Sequence, residues 1–244
     1  MAHSAVESAL PFMNQDSAKP LADSVVIVSG LPRSGTSMVM QMLAAGGIPV
    51  LSDGVRQADD DNPRGYLEFE PAKKLFQSSD WLKDAKGQAV KIVAPLLAAV
   101  PPGIACRVIL IERDYDEILD SQAKMIERRG GTALDTLDRR ELLKAEYVRI
   151  ISRTYRWLRR RPETAYLILD RSSVLADADS AAARIAQFLD GRADSKRMAP
   201  AVDVTLDRHS VSRTCRSLAS NSAGSFASTS GVIRPAASID LTCT

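Results

Sequence analysis

The apolar positions of this chain follow two rhythms: short unbroken runs that suit buried strands, and longer stretches with a period near 3.6 that suit helices. Val25, Val26, Ile27 and Val28 form the first run, which stops at Gly30, the pattern of a parallel strand buried on both faces. Met38, Val39, Met42 and Leu43 then recur at helical spacing until Gly46 and Gly47 end the helix. Residues 48–51 predict a second short strand, 71–82 a helix, and 90–93 a strand after a Lys-Gly turn. The clearest strand after the first is 107–111, and Asp114 is suited to cap the helix behind it, with Ile118 and Met125 facing inward. Residues 136–160 predict a long helix with Leu142, Leu143, Tyr147, Ile150, Ile151 and Leu158 on one face, stopped by Pro162. A strand at 166–169 and a final helix at 179–189 complete the pattern.

Strands alternating with helices imply an α/β fold, a three-layer arrangement with a parallel sheet flanked by helices. The chain divides into three regions. Residues 1–22 are mixed and aperiodic, a flexible arm; 23–209 carry the periodic elements; 210–244 are rich in Ser, Thr, Ala and Gly and read as a disordered, low-complexity tail. Within the domain, 52–67 is rich in Asp, Gly, Asn and Pro and reads as a loop.

Composition narrows the function by exclusion. With 45% hydrophobic and 25% charged residues the chain is an ordinary globular protein. A net charge of +2 supplies no global field for nucleic acid or a membrane surface, so anion binding must come from local arrangement. Cys106, Cys215 and Cys243 are widely spaced and form no Cys-x-x-Cys pair, which leaves a zinc site or disulfide framework without support. His3 and His209 are the two histidines and lie near the ends of the domain, so neither a histidine-centred triad nor a metal site is expected. The first 23 residues lack a signal-peptide pattern, and no apolar stretch approaches the roughly 18 residues of a membrane span. A reduced, cytoplasmic setting is the expectation.

Local chemistry is concentrated in Gly30-Leu31-Pro32-Arg33-Ser34-Gly35-Thr36-Ser37, between a predicted strand and a predicted helix. In that context loop N–H groups and the helix dipole favour an anion, and Gly30 and Gly35 permit the turn. The spacing fits the ATP-binding phosphate loop, except that Thr36 stands where the lysine belongs. Arg33, inside the loop, is the cation instead. A plain strand-turn-helix corner and a degenerate ATPase or kinase are the competing readings.

This segment resembles the 5′-phosphosulfate loop of sulfotransferases that use 3′-phosphoadenosine 5′-phosphosulfate (PAPS), members of the P-loop superfamily. The family also has a 3′-phosphate site: a strand, an arginine, and a serine on the next helix. Here Arg113 follows the 107–111 strand and Ser121 lies eight positions after Arg113. A guanidinium offers forked donors to phosphate, and the carboxyl edge of an open sheet is where such folds bind ligands. In isolation Arg113 would read as a surface partner of Asp116 or Glu117. The segment Asn62-Pro63-Arg64-Gly65-Tyr66 is similar to one found in bacterial sulfotransferase-like proteins, and the resemblance extends over roughly residues 24–208. The glycine-rich 3′-phosphate motif of the animal cytosolic enzymes has no counterpart.

The resemblance implies PAPS as co-substrate, held by Gly30, Arg33, Ser34, Gly35, Thr36, Ser37, Arg113 and Ser121. It implies that Lys91, like a lysine of the tyrosylprotein sulfotransferases, stabilises the transferring group; the alternative is a solvated strand-edge lysine. A carboxylate base in the position of the tyrosylprotein enzymes' glutamate falls on Asp53, about twenty residues past Arg33, with Glu68 and Glu70 as rivals and an Asp-Gly turn with Gly54 as the bland reading. The basic run Arg156, Arg159, Arg160 and Arg161 reads as a solvated helix end, and Trp81 and Trp157 as core. Sulfuryl transfer to a small-molecule, glycan or peptide acceptor is the first expectation. A phosphoryl-transfer enzyme and a non-catalytic nucleotide-binding protein of the same fold are the alternatives.

Overall fold

The β-branched runs have no polar face to offer water, so they pair in the middle of a sheet and are covered on both sides. The computed structural model describes residues 13–14, 19–59, 62, 64–132 and 136–203. The expected tail at 210–244, His3, His209, Cys215 and Cys243 lie outside the described residues. In chain order the elements are β1 (Met13–Asn14), β2 (Val25–Gly30), α1 (Thr36–Ala45), α2 (Glu70–Lys73), β3 (Ala89–Lys91), β4 (Cys106–Glu112), α3 (Tyr115–Arg128), α4 (Leu137–Arg159), β5 (Thr164–Asp170), α5 (Arg171–Ala176), α6 (Ala178–Phe188) and α7 (Ser195–Met198). The sheet order is β1-β5-β4-β2-β3. Strands β2 to β5 are parallel, and β1 adds two residues antiparallel to β5.

The two-residue period of the strands sorts the core into layers. Val26, Val28, Ile109, Ile111, Leu167 and Leu169 pack with α1 and α6 on one face. Val25, Ile27, Val90, Val108, Leu110 and Ile168 pack on the other with Leu75, Leu82, Leu97 and Leu158. A third cluster sits beside the glycine-rich loop that follows β2, where Leu31 meets Ile118 and Leu119 of α3 and Tyr147, Ile150 and Ile151 of α4. The α/β architecture read from the hydrophobic pattern is the one observed.

Part of the segment expected as an N-terminal arm is built into this fold. Beyond β1, Leu21 is buried and the Lys19 carbonyl accepts from Arg107 Nη2 at 2.7 Å. Arg107, buried in the sheet, also forms a two-pronged pair with Asp190 at 3.0 and 2.6 Å.

Several element boundaries differ from the pattern-based expectation. Residues 48–51 make one bridge, Val50 to Ala89, instead of a strand, because Pro49 has no N–H with which to extend the ladder. The helix expected over 71–82 breaks into α2, a run of turns and a 3-10 turn at Asp80–Lys83; Ser78, Ser79 and Asp80 favour turns and caps over helix interior. Helix α4 has its buried stripe at Tyr147, Ile150, Ile151, Thr154 and Leu158. Leu142 stays 68% exposed, since one residue is about 100° of helical turn. Helix α6 is not the last, because α7 follows it, and α5 was not expected. Arg161 does not belong to a solvated helix end: it donates to the Val100 carbonyl at 2.8 Å and pairs with Glu163 at 3.0 Å. Trp81 and Trp157 pack, partly buried, against the core. Among the described residues, no helix is long and apolar enough to cross a membrane.

Candidate functional site

The strand order places the candidate site. Strand β2 lies between β3 and β4, so the chain leaves β2 for one neighbour and returns beyond the other. The carboxyl end of β2 is therefore a topological switch point, the usual ligand crevice of an open α/β sheet. Register aligns the ends: Val28 stands opposite Lys91, Gly30 opposite Ile111, and Glu112 opposite Asp170. The 30–37 loop, Lys91 and Arg113 consequently emerge at one edge.

The loop fits tightly against β4. A Cβ on Gly30 would lie 2.5 Å from the Ile111 carbonyl oxygen and collide with Ser34 Oγ, so only glycine fits. Gly35, the residue before α1, has φ +112°, a backbone conformation that favours glycine. Ser34 is 1% exposed and its Oγ has no hydrogen-bond partner. A buried hydroxyl without a partner is costly, and a ligand, an ordered water or local strain are the physical reasons for keeping one. Thr36 opens α1 and is buried.

Arg33, Arg113 and Ser121, drawn from two separate sequence motifs, form one cluster. Arg33 Nε donates to Ser121 Oγ at 3.0 Å, and Arg113 Nη1 donates to the Arg33 carbonyl at 2.9 Å. Arg113 Nε also donates to Glu117 Oε2 at 3.2 Å. The surface pairing considered for Arg113 is thus half right: the Glu117 partner is present, but the arginine side chain is only 4% exposed. Asp114 caps α3 through the backbone N–H groups of Asp116 and Glu117. A small cavity of about 10 Å³ adjoins, lined by Leu31, Ser34, Glu112, Arg113 and Tyr115.

Lys91 approaches the loop from the other side. Its Nζ donates to Tyr66 O at 2.8 Å, Glu68 Oε1 at 3.1 Å and Ser37 Oγ at 3.3 Å. The side chain is 7% exposed, so Lys91 is not a solvated strand-edge lysine. Burial pulls its pKa down to about 8, against the upward pull of Glu68. Glu68 in turn accepts from Arg56 at 3.0 Å and pairs with Lys73 at 3.0 Å. Burial pushes Glu68 upward, but Lys91, Lys73 and Arg56 outweigh it and hold the carboxylate below its ordinary range.

The three candidate bases are all engaged. Asp53 is exposed and accepts from the backbone N–H of Glu70 at 2.5 Å and of Val55 at 3.1 Å. The Glu70 N–H bond is the main reason its carboxyl sits below the usual range. This is the geometry of a turn-forming Asp, matching the Asp-Gly alternative. Glu70 accepts from Lys73 at 2.6 Å.

Arg171 at this edge was not expected from sequence, and Tyr66 was read there only as the end of the 62–66 segment, with no role of its own. The stem of Arg171, at the start of α5, lies 3.3 Å from where a Gly35 Cβ would be. Tyr66 is buried, with its hydroxyl donating to Asp59 at 2.6 Å and the Arg56 guanidinium 3.4 Å from its ring centroid. An Arg after a strand and a Tyr in a loop are too common for spacing alone to single them out.

No family model matches the chain, and no curated protein does. Among solved structures it is similar to a retinol dehydratase crystallised in complex with androsterone and the inactive cofactor PAP, at 15% identity over 75% of this chain with a TM-score of 0.44. The alignment spans 64% of that protein's chain. The α/β assignment rests on the strand order and register described above.

Proposed function

We propose that this chain is a sulfotransferase that moves the sulfuryl group of PAPS to a hydroxyl or amine acceptor by in-line transfer. The observation that carries the reading is the joining of Arg33, Arg113 and Ser121 beside the phosphate loop, at 3.0 and 2.9 Å. A phosphate loop alone suits any nucleotide. A neighbouring cluster of guanidinium and hydroxyl suits a nucleotide that carries a second phosphate on its ribose.

In this reading the loop N–H groups, Ser34, Thr36 and Ser37 hold the 5′ end, while Arg113 and Ser121 hold the 3′-phosphate. The Gly30 cradle and the buried Ser34 hydroxyl suit an anion there. When bound, the nucleotide supplies a sulfuryl group whose bond to the 5′-phosphate breaks as the acceptor oxygen or nitrogen attacks sulfur. Arg33, Lys91 and the loop N–H groups stabilise the charge that gathers on the departing phosphate oxygen. The acceptor's proton passes to a carboxylate, assigned to Asp53, whose oxygens each accept one backbone bond and keep a second lone pair for it.

Calorimetry with adenosine 3′,5′-bisphosphate and with adenosine 5′-monophosphate tests the reading. The bisphosphate is expected to bind at least tenfold more tightly, about 1.4 kcal/mol, and Arg113→Ala to abolish the difference. Equal affinities in the wild type would overturn it. Lys91 favours one second reading, phosphoryl transfer, because it brings to Ser37 the ammonium that Thr36 fails to supply. Product formation that requires ATP and magnesium would establish that reading instead.

A further inference from the structure

Lys91 and Glu68 are paired where the phosphate loop and the 52–70 segment meet. Ser37 occupies the loop position whose hydroxyl, in metal-dependent phosphate loops, ligates magnesium. Here that hydroxyl faces an ammonium at 3.3 Å. The ammonium comes from β3 and is held in place by oxygens of another segment, Tyr66 O and Glu68 Oε1. Glu68 gathers three cations, Arg56, Lys73 and Lys91, and Arg56 is itself stacked on Tyr66. The carboxylate is thus the common anchor of a cationic cluster against the loop.

We propose that Glu68 is a positioning residue of the nucleotide site, holding the Lys91 ammonium against Ser37 in the place that a divalent cation takes in metal-dependent loops. The assignment rests on the nucleotide-site reading above. Without Glu68, the buried ammonium would keep the Tyr66 carbonyl and the Ser37 hydroxyl as partners, with Arg56 and Lys73 as like-charged neighbours. It would lose its proton at lower pH and its aim at the loop. Charge on Lys91 is set first by burial, which disfavours it, and then by the charges that face it, Glu68 for and Arg56 and Lys73 against; the Tyr66 ring also faces Nζ, at 5.7 Å.

The test has two arms. In the first, carbon-13 NMR of the lysine ε-carbons follows Lys91, assigned by its disappearance in Lys91→Met, in the full-length protein without nucleotide. Glu68→Gln is expected to lower the Lys91 midpoint by about one pH unit or more, and Glu68→Asp, which keeps the charge, by less. An unchanged midpoint in Glu68→Gln overturns the proposal. In the second arm, affinity for adenosine 3′,5′-bisphosphate is measured at pH 8. Glu68→Gln and Lys91→Met are each expected to weaken binding about tenfold, and the double variant to be no weaker than Lys91→Met alone, since the two act as one unit. Additive losses overturn the proposal, because a merely structural Glu68 would add its own penalty. A wild type that fails to bind the bisphosphate overturns the nucleotide reading, while the first arm still decides the Glu68–Lys91 coupling. Should Glu68→Gln fail to fold, Glu68→Asp carries both arms: an unmoved Lys91 midpoint with unchanged affinity overturns the proposal.

Discussion

Replacing Ser34 by alanine is expected to make the protein more stable and its anion binding weaker. The hydroxyl is 1% exposed and has no hydrogen-bond partner. Leaving a buried hydroxyl unsatisfied costs about 1–3 kcal/mol, and deleting it recovers that amount. The opposing term is small. Removing one oxygen enlarges the adjoining space by roughly 10 Å³, worth about 0.2 kcal/mol at about 24 cal/mol per Å³. A net gain of about 0.8–2.8 kcal/mol remains, which raises Tm by roughly 2–11 °C at about 2–4 °C per kcal/mol for a domain of this size. The bond that Ser34 offers a charged ligand is worth about 1.5–3 kcal/mol, so affinity for adenosine 3′,5′-bisphosphate is expected to fall by about tenfold or more. Differential scanning calorimetry without ligand and titration calorimetry with it read the two effects separately. A lowered Tm, or a raised Tm with undiminished affinity, would refute the reasoning that Ser34 is kept for a ligand at a cost to the fold.

Gly30→Ala is expected to destabilise by about 1–3 kcal/mol and to remove anion binding, because the new Cβ meets the backbone oxygen of Ile111, which cannot yield without moving β4; a wild-type Tm would contradict the tight packing of the loop. Lys91 gives a pH signature. Its folded pKa, about 8, lies below the 10.5 of an unperturbed lysine, so between those values the unfolded chain binds more protons and stability rises with pH. The protonated, buried Lys91 destabilises the fold by up to about 3 kcal/mol at neutral pH. In denaturant unfolding at pH 7 to 10, Lys91→Met is expected to be the more stable protein at pH 7, its advantage shrinking above pH 8. A constant difference across that range would show that Lys91 titrates as an exposed lysine.

The strands, the long helices and the glycine turn between β2 and α1 were legible in the sequence because their causes are local. Val25 to Val28 cannot be solvated on either face, Asp114 caps its own helix through N–H groups two and three residues on, and the spacing of Gly30 and Gly35 encodes a turn. The spacing of Arg113 and Ser121, a strand end and the helix after it, was legible too, but not that both would bond to Arg33. Where competition between local preferences decides, the pattern misled, as at Pro49, at Ser78 to Asp80 and at Leu142. What only the tertiary structure decided is the company each charge keeps. Lys91 and Ser37 are 54 residues apart and Arg33 and Ser121 are 88 apart, and no periodicity carries information across such distances. Strand order brings β3 and β4 to either side of β2, and this places one lysine, Lys91, and one arginine, Arg113, on opposite flanks of one loop. Burial then sets the chemistry of Lys91, whose pKa it lowers, and of Glu68, the half-buried anchor of three cations, while the exposed Asp53, an obvious candidate base by position, is engaged by the backbone N–H groups of Val55 and Glu70.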